Sequence, residues 1–196
     1  IYSLKSHEFS YYYTSKYTLQ AVINHPLSED DIVSAVFSAW EGMLRTKIGL
    51  SENRNRYFQI TQITGNYLHE LIPAILTEKY PNVWRKEEDK SDKDLVCIPD
   101  DNFSIEIKTL HKIAFLEIEV MQPNSVDNSG KKKHGYYIGI NYEKITRTNP
   151  DAEIKLIKFG WIDHLDRRPQ RTQTGQNSTL DPSAWKFKMK TLYQKA

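Results

Sequence analysis

Three residues of this chain have the types and spacing that phosphodiester hydrolysis needs: Asp94, Glu106 and Lys108. Mg²⁺ is a hard cation that takes one or two carboxylates, keeps several waters and accepts a phosphate oxygen. Water bound to such a cation is a better nucleophile, and an ammonium nearby can orient that water or offset charge building on the phosphoryl group. The pattern acid, any residue, lysine occurs three times, as Glu88-Asp-Lys90, Glu106-Ile-Lys108 and Glu153-Ile-Lys155. Glu88 lies in a charged run with no apolar alternation and reads as a solvated charge. Glu153 opens an apolar strand, but the strand before it, Tyr136 to Tyr142, has no acid at its far end. Only Glu106 follows a strand that begins with an acid.

That pairing depends on a hairpin. Asp94-Leu-Val-Cys-Ile-Pro99 and Phe103-Ser-Ile-Glu-Ile-Lys108 are two β-type runs around the polar turn Asp100-Asp-Asn102. If Pro99 faces Phe103, then Val96 faces Glu106 and Asp94 faces Lys108. Leu95, Cys97, Phe103, Ile105 and Ile107 would share one apolar face, and Asp94, Glu106 and Lys108 the other. A slip of one residue would mix the two sets, so the apolar pattern argues for this arrangement. The backbones of Asp94 and Glu106 should then lie roughly 8 Å apart, close enough to share a cation. Asp100 competes for the aspartate role because it follows Pro99, but from the turn it should lie about 13 Å along the strand from Glu106, against about 7 Å for Asp94.

The elements that must carry these residues are legible around them. Ser28 with Glu29-Asp-Asp31 looks like a helix N-cap, and Ile32, Val33, Val36, Phe37, Trp40, Met43 and Leu44 recur at helical spacing. Ile60, Ile63, Tyr67, Leu71 and Ile75 predict a second helix, kinked or restarted at Pro73, with Asn66 and Glu70 on its polar side. The charged stretch from Arg85 to Lys93 reads as loop. Short β-type runs follow at 94–99, 103–110, 113–121, 136–142 and 154–162. From Asp163 to Ser183 the chain reads as long loop, with a closing segment from Trp185 to Tyr193. The expectation is one domain over 1–196: mainly helical through 28–80, a catalytic sheet over 94–162, and a DNA-reading loop with its closing segment over 163–196.

Composition removes other chemistries. At 196 residues and 39% hydrophobic, the chain suits one domain with a sizeable core. No run of eighteen apolar residues occurs, and no secretory signal pattern opens the sequence, so a soluble protein with no membrane partner is expected. The lone Cys97 sits in an apolar run, which suits burial and a reducing cytoplasm rather than nucleophilic catalysis. No zinc spacing of Cys and His and no phosphate-cradling glycine motif is present. The net charge of +2 hides a polarity. Through Gly130 there are 13 basic and 19 acidic residues, and after it 14 and 6. An acidic part that holds metal and a basic part that meets phosphate would suit a nuclease, although a solvated surface has the same composition.

With an acid opening one strand and Glu-x-Lys in the next, the chain resembles the PD-(D/E)xK nuclease superfamily. Gly65-Asn-Tyr-Leu-His-Glu70 is similar to the helix that often adds a glutamate near the metal there. Phe159-Gly-Trp-Ile-Asp163 and Thr174-Gly-Gln176 resemble the C-terminal region of type II restriction enzymes, in particular the ScaI-like group. The resemblance covers about residues 60 to 180. It implies an α/β fold with a central mixed sheet flanked by helices, Mg²⁺ as cofactor, double-stranded DNA as substrate, and Asp94, Glu106, Lys108 and Glu70 as the catalytic set, with the metal on Asp94 and Glu106. A symmetric DNA site would call for a homodimer.

Lys131, Lys132 and Lys133 are of the type that meets phosphate, while Arg167, Arg168, Gln170, Arg171, Gln173, Gln176 and Asn177 are types that read base edges. Three readings compete: a restriction enzyme, a repair or recombination nuclease of the same fold, and a non-catalytic nucleic-acid-binding protein. Asp94, Glu106 and Lys108 could also be a plain cross-strand salt bridge. Glu117 and Glu119 read as solvent-facing strand positions, and His69, His111, His134 and His164 as ordinary surface or capping residues.

Overall fold

The computed structural model describes residues 20–48, 51–52, 61–110, 120–121, 132–146, 148–169 and 177–196. Helix α1, Glu29–Arg45, starts where Ser28 caps it: the hydroxyl accepts from the Asp31 N–H at 3.1 Å. Glu29, Asp30 and Asp31 place negative charge at the positive end of the helix dipole. The helix buries Ile32, Ala35, Val36, Ala39, Trp40, Met43 and Leu44 along one face, as their spacing predicts. After the two-residue strands β1, Lys47–Ile48, and β2, Ser51–Glu52, comes helix α2, Thr61–Lys79, which runs through Pro73 without a break. A proline there removes the hydrogen bond that would reach the His69 carbonyl, but packing of Leu68, Ile72 and Leu76 in the core holds the helix together.

The remaining strands are β3, Trp84–Lys86; β4, Leu95–Cys97; β5, Ile105–Leu110; β6, Val120–Met121; β7, Gly135–Tyr142; β8, Ile154–Ile162; β9, Arg167–Pro169; and β10, Asn177–Leu180. A short helix α3, Pro182–Phe187, and strand β11, Met189–Gln194, close the chain. The main sheet has six strands in the order β11-β8-β7-β5-β4-β3. β5 and β7 are parallel and every other neighbouring pair is antiparallel. The sheet is thus mixed, as expected, and the parallel pair requires the long crossover that lies between Leu110 and Gly135. A second sheet joins β6, β10 and β9.

Helices cover both faces of the main sheet. On one, α1 and α2 pack over Trp84, Leu95, Ile105, Ile107, Ile138, Ile140 and Phe159. On the other, Tyr137, Leu156 and Ile162 meet Leu180, Ala184, Trp185 and Met189. Covering both faces explains why β7 and β8 are buried almost continuously instead of alternating. Lys158 joins the two layers on that second side, where its amine donates to the carbonyls of Trp185 at 3.0 Å and Met189 at 3.4 Å. Burial holds its pKa below the ordinary lysine value.

Two local readings differ from this architecture, and a third lies mostly outside the described residues. The stretch from Arg85 to Lys93 begins inside β3, because Trp84, Arg85 and Lys86 pair with Cys97, Val96 and Leu95 at the sheet edge. Its charges obscured a three-residue strand. The stretch from Asp163 to Ser183 contains β9 and β10, paired as Ser178 with Pro169, Thr179 with Arg168 and Leu180 with Arg167. Of the run 113–121, only Val120 and Met121 fall within the described residues. No described helix is long and apolar enough to cross a membrane.

Candidate active site

The β4–β5 pairing differs from the expected register. Leu95 pairs with Ile105, two residues away from the arrangement in which Val96 would face Glu106. The reason is the turn. Asp101–Phe103 forms a 3-10 turn capped by Asp100, whose side chain accepts from the Asn102 N–H at 3.0 Å. The Ser104 hydroxyl then accepts from the Cys97 N–H at 2.9 Å, taking the place of a ladder partner. A slip of two residues keeps every side chain on its face, so the apolar set survives and Leu95, Ile105 and Ile107 are fully buried. The slip also brings Asp94, just before β4, level with Glu106 on β5. Their backbones are then direct neighbours at about 5 Å rather than diagonal ones.

Asp94 sits where β4 has not yet begun, so its carboxylate takes the acceptor role a strand carbonyl would otherwise have: Oδ2 accepts from the Ile107 N–H at 2.5 Å. Next along β5, Lys108 Nζ lies 2.5 Å from Glu106 Oε1, with both side chains largely shielded from solvent. Asp94, just ahead of β4, and Glu106, on the neighbouring β5, are both buried polar residues. Two such oxygen donors are what a hard divalent cation takes from protein, the rest of its shell being water and substrate. Among the described residues, no group of three His, Cys, Asp or Glu side chains is placed to hold a metal ion.

Helix α2 brings His69 against Asp94 and places the expected Glu70 beside Lys86. Glu70 is exposed and forms an ion pair with Lys86 on β3, while His69, read from sequence as an ordinary surface residue, places Nδ1 3.5 Å from Asp94 Oδ2. Helix geometry turns consecutive residues about 100° apart, and here His69 is the one turned toward Asp94 while Glu70 turns toward Lys86. The close approach of α2 to β5 is set by Gly65, where a Cβ would come within 2.8 Å of Thr109 Oγ1.

Two further residues at this site carried no sequence signal. Lys93 is buried, with its ammonium 4.9 Å from the Tyr137 ring centroid. Tyr137 is the partner of Glu106 in the parallel β5–β7 ladder. Charge and helical or strand periodicity mark neither, because what makes them part of the site is a crossover that returns the chain at β7. Nearby, burial and then the Lys93 ammonium hold the pKa of His134 below the ordinary histidine value. His164 faces Asp163 at 2.9 Å.

Of the basic candidates, Lys132 is exposed and meets Asp101 at 3.2 Å. Lys133 is buried, so its side chain does not share the solvent-facing position of its neighbour. Arg167 and Arg168 lie on β9 and Asn177 opens β10, opposite Met121. The side chains of these three, together with Lys131, Gln170, Arg171, Gln173, Gln176, His111, Glu117 and Glu119, lie outside the described residues.

Residues 12–193 match the ScaI restriction endonuclease family. The sequence is 38% identical over 169 residues to the type II restriction enzyme ScaI of Streptomyces caespitosus, covering 83% of this chain and 73% of that protein. No solved structure matches.

Proposed function

Because the chain belongs to the ScaI restriction endonuclease family, we propose that it is a type II enzyme that hydrolyses double-stranded DNA at a short specific sequence, using Asp94, Glu106 and Lys108. The observation that carries the assignment is that Asp94, just ahead of β4, lies level with Glu106 on β5, with Lys108 against Glu106. The donor set suits Mg²⁺: two buried carboxylates, both hard oxygen donors, beside an ammonium and with no thiolate among them. When bound, the ion supplies an activated water and offsets charge on the phosphoryl group.

The chain's own groups do the rest. Asp94 and Glu106 would hold the ion from two strands whose positions are fixed by the buried Leu95, Ile105 and Ile107. The Ile107 N–H and His69 Nδ1 both approach Asp94 Oδ2, orienting the carboxylate so that Oδ1 is the oxygen that would turn to the ion. Lys108, which can leave Glu106 once a cation competes for that carboxylate, would donate to a non-bridging phosphate oxygen or to the attacking water. Glu70, by contrast, would act at most on Lys86. Contacts to phosphate are assigned to Lys131 and Lys132, and base reading to Arg167, Arg168, Gln170, Arg171, Gln173, Gln176 and Asn177. We further assign a homodimer, which would present two such sites to a symmetric sequence, and a cytoplasmic setting, consistent with the single buried cysteine.

The test is digestion of a plasmid of known sequence with and without Mg²⁺. Discrete fragments that appear only with the ion and map to one short sequence support the assignment. A structure-selective nuclease would leave relaxed plasmid uncut or degrade it without sequence, and a binding protein would shift the DNA without cutting.

A further inference from the structure

Lys93 precedes Asp94 and is buried although it is a lysine. Taking an ammonium out of water is expensive unless the site compensates it, and this site is built to do so. The Lys93 stem runs past Gly135, where a Cβ would lie 3.0 Å from Lys93 Cε, and Gly135 has φ +131°. The backbone conformation requires glycine there, and the stem lies tight against it. At the end of the stem the ammonium sits on the Tyr137 ring and donates to the Lys132 carbonyl at 3.3 Å. The Tyr137 hydroxyl donates to the next carbonyl, that of Lys133, at 2.9 Å. Two side chains therefore grip consecutive carbonyls of the basic segment. One is the chain neighbour of Asp94, and the other is the ladder partner of Glu106.

We propose that Lys93 is a positioning residue: with Tyr137 it locks the Lys132–Lys133 backbone to the strands that carry Asp94 and Glu106, so that a DNA phosphate met by Lys132 is held in register with the two carboxylates. The proposal rests on the assignment of those carboxylates as the cleavage site. Its consequence falls on the rate of cutting bound DNA rather than on affinity, because the Lys132 charge persists when the tether is lost. A misplacement of about 1 Å is enough to slow a bound reaction by about 100-fold.

The variants are Lys93→Met, which keeps the length and packing of the stem, Tyr137→Phe, which keeps the ring and deletes only the hydroxyl, and the double variant. Single-turnover cleavage of the mapped site is measured with enzyme in excess, and DNA affinity is measured by fluorescence anisotropy with each change placed in a Glu106→Gln background. Lys93→Met is expected to cut about 100-fold more slowly while its Kd stays within about threefold. Tyr137→Phe should be slowed in the same direction. The double variant should lose less than the product of the single losses, since a released segment offers the second tether nothing to hold. Cleavage of Lys93→Met within about twofold of the parent, a loss confined to Kd, or losses that multiply would overturn the proposal. If thermal melting shows Lys93→Met to be unfolded, Tyr137→Phe decides, and an unchanged cleavage rate there counts against the tether. Should Glu106→Gln itself still cut, the underlying site assignment fails. A dead Glu106→Gln beside a normally cutting Lys93→Met would sink the tether alone.

Discussion

At the scale of single residues, the Asp94 carboxylate accepts from the Ile107 N–H and, on the proposed assignment, would also share a cation with Glu106. Substitution to alanine would confuse the two roles, since it strands a buried N–H at a cost of about 1–3 kcal/mol. Asparagine keeps an oxygen for that N–H and removes the charge a metal needs. Asp94→Asn is therefore expected to lose cleavage by orders of magnitude with little change in thermal midpoint, whereas Asp100→Asn, which keeps an acceptor for the 3-10 turn, should cut almost normally. The reverse ranking in a plasmid assay would move the metal to the turn. By the same logic Glu106→Gln and Lys108→Ala should abolish cutting and leave DNA binding largely intact. His69 touches Asp94 rather than substrate, so His69→Ala should raise the Mg²⁺ concentration for half-maximal cleavage by about 10-fold, as losses of outer-shell partners do. Glu70→Gln, which disturbs only the exposed ion pair with Lys86, should leave that concentration unchanged.

At the scale of elements, His25 pins the chain ahead of α1 to the tip of the β4–β5 hairpin. Its Nδ1 accepts from the Leu27 N–H at 3.1 Å, so the proton rests on Nε2, which donates to the Phe103 carbonyl at 3.0 Å. Around it stand the rings of Tyr136 at 4.4 Å and Phe159 at 4.9 Å. Burial holds its pKa below the ordinary histidine value despite the raising effect of the two backbone contacts. The folded state thus binds a proton less readily than the unfolded chain. As pH falls below about 6.5, the unfolded state gains protons that the folded state does not, and stability drops. Urea midpoints should therefore decline between pH 7.5 and 5.5, and His25→Gln should flatten that decline. A midpoint that rises on acidification would contradict the neutral tautomer. The hairpin itself keeps the expected apolar face while correcting which residues are opposite, because the pairing has slipped by two residues and an even slip preserves the pleat.

Across the whole molecule, the acidic and basic parts meet at the N-terminal ends of the central strands β5 and β7, where the chain returns at Lys132 to Gly135 beside Asp94 and Glu106. Neutral substitution of Lys131 and Lys132 should weaken binding to all sequences alike and reduce the slope of log K against log salt by about 1 for each phosphate that is no longer neutralised. Lys133 is buried, so Lys133→Ala should lower the thermal midpoint instead. Changes at Arg168, Arg171 or Gln173 should relax base preference at particular positions without much effect on the salt slope. A uniform loss of affinity in both groups, read from binding to cognate and mismatched duplexes, would mean that the segment around β9 and β10 is not the reader.

The order of residue types along the chain determined the helix at Glu29–Arg45, the apolar strands β7 and β8, and the grouping of Asp94, Glu106 and Lys108 on one hairpin, because each rests on local periodicity within a single element or between adjacent ones. Which helical residue meets Asp94, how far the hairpin slips, and that Lys93 and Tyr137 join the site were decided only by tertiary packing. His69 and Glu70 differ by one position, and the choice between them depends on how α2 rotates as Leu68, Ile72 and Leu76 seat in the core. Tyr137 reaches Glu106 through a parallel pairing between β5 and β7, whose partners stand 31 residues apart in sequence. Contacts over that distance leave no period in the sequence between them. They arise only when the crossover lays β7 beside β5.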